Sequence, residues 1–192
     1  MKISIIYSSE TEHTQRLAEA IYAGCQSGGD ISTTLFRIKD EDFEGGRWNN
    51  QRILAELDNS DAIIMGSPTF MGSASSKLKA FMEATVSRYI PETWNGKIAA
   101  GFTVSGATSG DKFNTLSTIT TFAMQHGMIW VGLGCNPFNS TEGINAAGHY
   151  YGATGQAALD DNPDEFPSEA DLKSGQYLGA RVASYVKKLA SN

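Results

Sequence analysis

Short apolar, β-rich runs recur at residues 2–7, 31–36, 61–66, 97–104 and 128–133, and each gap between them is long enough for a helix. That alternation predicts parallel strands joined by right-handed crossovers with helices on both faces, a doubly wound α/β domain. Leu17 and Ile21 mark the inward stripe of a helix over His13–Cys25. Leu78, Phe81 and Met82 do so for a helix between Ala74 and Thr85, and Leu178, Val182, Val186 and Leu189 for one over 172–190. Between Asp30 and Asp61 the chain is polar, and Gly45-Gly46 interrupts it before a helix around 49–58. The stretch 134–171, rich in Gly, Asn, Pro and Asp, exceeds ordinary connection length and is expected to be a functional or oligomeric loop insertion.

A chain of 192 residues suffices for one domain, 1–192, with a sizeable core. A net charge of −6 without a dense run of Lys and Arg excludes nucleic-acid backbone binding as a main activity, while a nucleotide-sized ligand stays compatible. No run reaches the length of a membrane span and the N-terminus lacks the order of a signal peptide, so a cytoplasmic protein without membrane insertion is expected. Cys25 and Cys135 form no C-x-x-C motif, and the three histidines are dispersed, so neither a disulfide framework nor a metal site is indicated. Cys25 is expected to be a buried small residue on a helix. The sequon Asn139-Ser140-Thr141 reads as a chance match.

Candidate chemistry lies in the loops that follow three strands. After the first strand come Ser8-Ser9-Glu10-Thr11-Glu12-His13-Thr14, hydroxyls and backbone amides delivered to a helix start, where unpaired N–H groups and the helix dipole favour a phosphate. A plain helix N-cap is the alternative. Glu10 and Glu12 must then point outward or toward positive groups, and His13 is either a ligand donor or a surface or capping residue. The third strand runs into Pro68-Thr69-Phe70-Met71-Gly72-Ser73, which offers amides, a hydroxyl and apolar rims to a planar ring; otherwise it is a turn with Phe70 and Met71 packed inward. The fourth runs into Ser105-Gly106-Ala107-Thr108-Ser109-Gly110, a close-approach loop or simply a turn. Neither a P-loop, a Rossmann fingerprint nor a nucleophile elbow follows these strands.

Together these residues resemble the flavodoxin-like quinone oxidoreductases of the WrbA type. The similarity rests on Tyr7-x-Ser9-x-x-x-His13, Gly66-x-Pro68-Thr69-x-x-Gly72, Gly96-Lys97 with Phe102-Thr103, and His126-Gly127-Met128 with Val131-Gly132. It continues in Tyr151-Gly152-Ala153-Thr154, Pro167-Ser168-Glu169, Gln176-Tyr177 and Gly179. The resemblance implies a flavodoxin-like three-layer α/β/α sandwich around a five-stranded parallel sheet in order 2-1-3-4-5. It further implies FMN as cofactor, NADH or NADPH as electron donor, a quinone or related small acceptor, and a homotetramer with active sites at subunit contacts.

Carried onto this chain, the resemblance assigns Ser9, Glu10, Thr11, Glu12, His13 and Thr14 to the FMN phosphate region. Pro68, Thr69, Phe70, Met71, Gly72 and Ser73 would border the ring, and Ser105, Gly106, Ala107, Thr108, Ser109 and Gly110 its other edge and the ribityl chain. His126 matches a family histidine near flavin and quinone, the candidate catalytic residue; a purely structural histidine is the alternative. Relatives often carry Arg and Phe where this chain has Phe70 and Met71, Gly where it has Glu12, and Pro where it has Tyr150. Tyr150 and Tyr151 are expected to cover the ring, pack on a neighbouring subunit or pack within the insertion. A non-enzymatic flavodoxin-like electron carrier is the other function such a chain could have.

Overall fold

A computed structural model describes residues 1–140 and 142–191. Thr141, the third residue of the sequon, and Asn192 lie outside them. In chain order the elements are β1 (Lys2–Tyr7), α1 (His13–Gln26), β2 (Ser32–Arg37), β3 (Phe43–Glu44), β4 (Arg47–Trp48), α2 (Gln51–Asp58), β5 (Ala62–Phe70) and β6 (Ser73–Ala74). They continue with α3 (Ser76–Ala84), α4 (Val86–Tyr89), β7 (Ile98–Ser105), α5 (Lys112–Gln125), β8 (Ile129–Trp130), β9 (Ala153–Gln156) and α6 (Glu169–Ala190).

The period-2 alternation of the strands divides the interior into two cores. Ile3, Ile5, Tyr7 and Ile64 face Leu17 and Ile21 of α1 and Leu178, Val182 and Val186 of α6. Ile6, Ile63 and Met65 face Leu54 and Leu57 of α2, Leu78 and Phe81 of α3, and Ile119 and Phe122 of α5. Helices α1 and α6 pack so closely that a Cβ on Gly179 would lie 2.1 Å from the Ile21 carbonyl oxygen. Side-chain caps set three helix starts: Asn50 accepts from Ile53 N–H, Ser75 from Leu78 N–H and Ser168 from Asp171 N–H. The last of these moves the start of α6 ahead of the expected residue 172.

The parallel sheet runs β2-β1-β5-β7 and ends on a fifth strand, the expected 2-1-3-4-5 order of a flavodoxin-like fold. That fifth strand comes in two pieces: β8 pairs with Ile98 and Ala99, β9 with Phe102–Ser105. The expected strand over 128–133 is therefore corrected to 129–130. Beyond Val131 the chain turns to the segment that follows it, and Leu133 N–H donates to the Tyr150 carbonyl. The returning chain takes its place, with Gly152 so close to Gly101 that a Cβ would sit 2.0 Å from the Gly101 oxygen. Asn145 N–H donates to Ser174 Oγ and Arg181 Nε to the Gly132 carbonyl, which fastens Gly132 and Asn145 to α6. Among the described residues, no helix is long and apolar enough to cross a membrane.

Candidate functional site

Because β1, β5 and β7 are parallel neighbours, the loops that leave their carboxyl ends meet at one end of the sheet. The first loop is an open cradle of donors. Among the described residues, none of the backbone N–H groups from Ser9 to Thr14 is hydrogen-bonded, and the amide of Gln15 is taken by Ser9 Oγ at 3.3 Å. The N-cap position of α1 is Glu12, whose φ of 65° is left-handed and whose side chain caps nothing. The loop is thus held in a conformation a plain N-cap would not need, with its amides free for an anion.

Its charges are arranged to permit that. Glu10 turns to Lys77 Nζ at 3.1 Å, and Lys77 also meets Asp40 at 2.7 Å. These hydrogen bonds, Asp40 first, hold the Lys77 ammonium above its ordinary pKa. Glu12 is exposed. Arg37 donates to the Ser9 carbonyl at 2.7 Å and to Gln15 Oε1 at 3.0 Å, fixing the loop from beneath. His13 is buried, and both of its nitrogens are engaged. Nε2 donates to the Asp161 carbonyl at 3.0 Å and Nδ1 pairs with the Thr11 hydroxyl at 2.9 Å. His13 is therefore a strut in this arrangement. Arg16 reinforces it by donating to the Pro163 carbonyl at 2.6 Å.

The second loop is a tight hairpin. Thr69 pairs with Ala74 and Phe70 with Ser73, leaving Met71 (φ 47°) and Gly72 (φ 80°) as the two positive-φ residues of a type I′ turn. Gly occupies such a position freely, whereas Met71 is strained there. Met71 is fully solvent-exposed and Phe70 is 37 % exposed, so the alternative of two inward-packed side chains is overturned. Pro68 is buried within β5, and the Thr69 hydroxyl lies 2.8 Å from those of Thr103 and Thr115. These two residues shape the floor, and Phe70 to Ser73 reach the surface.

The third loop lies beside this hairpin, tied to it by Asn114 Nδ2, which donates to the Gly72 carbonyl at 2.7 Å. Gly106 to Ser109 are exposed, and none of the N–H groups of residues 106–111 donates to another described residue. Ser105 Oγ donates inward to the Ala107 carbonyl at 3.1 Å. Next to the loop, Tyr151 meets Phe113 edge to face at 5.1 Å, and Tyr150 is exposed. Two runs of free amides flanking a half-exposed aromatic rim fit a ligand with an anionic tail and a flat ring with polar edges. FMN has that chemistry.

His126 is not part of this assembly within one chain. It follows α5 and precedes β8, so it sits at the amino end of the sheet, where Gly96 N–H donates to the Gly127 carbonyl at 3.0 Å. The eight residues of β7 separate it from the loops by about 25 Å at some 3.3 Å per residue. Within one chain this topology keeps His126 apart from the three loops. Its ring is buried among Trp94, Phe122 and Tyr89. Thr85 Oγ1 donates to the Met82 carbonyl, so it accepts from His126 Nε2 at 2.9 Å, while the buried Nδ1 has no partner among the described residues. Burial lowers the His126 pKa and keeps the ring neutral. Beside it opens a groove of about 510 Å³ lined by Met82, Val86, Tyr89, Phe122 and Gln125.

Sequence reasoning missed Arg37, Lys77, Asp161 and Lys112 around the loops, since each lies outside them in the chain and looks like an ordinary surface residue. A model of the family described as NADPH-dependent FMN reductase matches residues 1–141. The chain is 34 % identical over 193 residues to flavodoxin FldP of Pseudomonas aeruginosa, covering 98 % of each. It is 30 % identical over 200 residues to an NAD(P)H dehydrogenase (quinone) of Azorhizobium caulinodans, again over 98 % of each. A WrbA-like flavodoxin from Agrobacterium tumefaciens superposes with a TM-score of 0.75 at 32 % identity, covering 97 % of this chain and 98 % of that one.

Proposed function

Because the chain belongs to the NADPH-dependent FMN reductase family, we propose that it is an FMN-dependent NAD(P)H:quinone oxidoreductase whose three loops, 8–14, 68–73 and 105–110, hold the flavin. The observation that carries this reading is the pair of free-amide runs, Ser9–Thr14 and 106–111, converging at the carboxyl end of the sheet. Quinone-reducing relatives at about the same length support it.

Bound FMN supplies the redox chemistry, taking hydride from NADH or NADPH and passing two electrons, with one proton from the donor and one from solvent, to a quinone. The chain's own residues bind and orient. The amides of Ser9 to Thr14 and the dipole of α1 hold the phosphate, while Lys77 draws Glu10 away from it. Phe70 and Met71 border the ring, and the free amides of the third loop face its polar edge. His13 and Arg16 tie residues 161–163 to the phosphate end.

The active form is proposed to be a homotetramer in which the His126 groove of one subunit closes over the flavin cleft of another. Val86, Tyr89, Ile90 and Met124 around that groove are exposed apolar residues that such a contact would cover. A second reading, an electron carrier without nicotinamide turnover, has the 34 % identical flavodoxin in its favour.

The test is anaerobic. The FMN-loaded protein is mixed with NADH or NADPH and then with a benzoquinone while the visible flavin band is followed. Fast bleaching and recovery support the oxidoreductase; stable FMN without bleaching favours the carrier.

A further inference from the structure

Three consecutive carbonyls of the third loop end on one side chain and its own amide. Lys112 Nζ donates to the Ala107 oxygen at 2.6 Å and to the Thr108 oxygen at 3.0 Å, and Lys112 N–H donates to the Ser109 oxygen at 3.2 Å. Lys112 is only 1 % exposed, although it follows an exposed loop and opens a helix. A buried ammonium is costly unless hydrogen-bonded, so these carbonyls and this cation stabilise each other. Burial lowers the Lys112 pKa and the charge of Asp171 opposes the shift.

The consequence is directional. In a trans peptide the C=O and the following N–H point to opposite sides. Drawing the carbonyls of Ala107, Thr108 and Ser109 inward turns the N–H groups of Thr108, Ser109 and Gly110 outward. Those amides have no partner among the described residues.

We propose that Lys112 is a positioning residue for the flavin: its buried ammonium holds the 105–110 loop so that the amides of Thr108 and Ser109, beside that of Gly110, face the pyrimidine edge of the ring. Electron density on that edge increases on reduction, so these donors favour reduced FMN over oxidised FMN. The inference rests on the proposed FMN site and adds a determinant of its affinity and potential.

Lys97 supplies an internal control. Its Nζ clamps two backbone carbonyls in the same manner, those of Asp58 and Ser60, but at the amino end of the sheet. Lys112→Met keeps the length of the side chain and removes the cation; Lys97→Met does the same at the far end. Lys112→Met is expected to weaken FMN binding by at least about tenfold. It is further expected to weaken reduced FMN about tenfold more than oxidised FMN, which lowers the two-electron midpoint potential by about 30 mV. Lys97→Met lowers stability but changes both quantities less than twofold.

Equal affinity and potential in Lys112→Met and wild type overturn the role of Lys112 and leave the FMN site standing. A wild-type chain that takes up no FMN overturns both. Should Lys112→Met fail to fold, the wild type decides by amide NMR. FMN should shift the Thr108 and Ser109 N–H resonances and slow their exchange, and unchanged resonances overturn the proposal.

Discussion

His13 Nε2 donates to the backbone carbonyl of Asp161 across 148 residues of sequence, joining the first loop of the site to the segment that precedes α6. The same ring receives Thr11, so one side chain fixes both the loop and what lies over it. Replacing His13 with Ala removes both hydrogen bonds and is expected to lower stability by about 1–2 kcal/mol. Residues 157–166 should also become easier to cleave. Urea unfolding and limited proteolysis of the variant check this, and an unchanged cleavage rate contradicts the strut.

The α1–α6 contact is governed by small residues. Gly179→Ala would place its Cβ 2.1 Å from the Ile21 oxygen, backbone that cannot step aside without moving a helix. Overpacking of this kind is expected to cost about 1–3 kcal/mol. Gly106→Ala, whose nearest atom would be 3.6 Å away, should change stability by less than about 0.5 kcal/mol. Urea midpoints of the two variants provide the comparison.

His126 makes stability depend on pH. Burial depresses its folded-state pKa below the ordinary 6.5, and protonation would also leave a buried Nδ1–H without an acceptor. The unfolded chain therefore takes up the proton first. The stability held above pH 6.5 falls as the pH drops toward the folded-state pKa, where the loss ends. His149, depressed by burial and by the charge of Lys112, acts in the same direction. The urea midpoint should fall between pH 7.5 and 5.5, and His126→Phe should flatten part of that slope; an equal slope in the variant contradicts the assignment.

The two cysteines should separate cleanly. Burial pushes the Cys25 thiol up to about 12, while Cys135 is partly exposed. The native protein should titrate with one equivalent of a thiol reagent at pH 8, and with a second only after unfolding. Two fast equivalents in the native state contradict the burial of Cys25.

Much of the architecture was legible in the chain. Four of the five apolar runs became β1, β2, β5 and β7, and a strand covered on both faces must be apolar almost throughout, as Ala62 to Met65 are. The expected helix at His13 begins there, and Gly45-Gly46 forms the turn between β3 and β4. The divided fifth strand was hidden, because β9 holds only four residues, Ala153–Gln156, with no apolar run to announce it. The three loops were visible by composition, but the cations around them were not. Lys112 is buried where the loop before it folds down onto its ammonium, and Lys77 reaches Glu10 from α3. The place of His126 follows from connectivity alone: a residue between a helix and the next parallel strand lies at the amino end of the sheet, away from the loops.

The most direct measurement of the central claim is a titration of the cofactor-free protein with FMN and, separately, with riboflavin, followed by flavin fluorescence. A phosphate held by the amides of residues 9–14 predicts one FMN per chain, bound at least about a hundredfold more tightly than riboflavin, since several hydrogen bonds to a charged group are lost without the phosphate. Equal affinity for the two flavins, or no binding of either, contradicts the account.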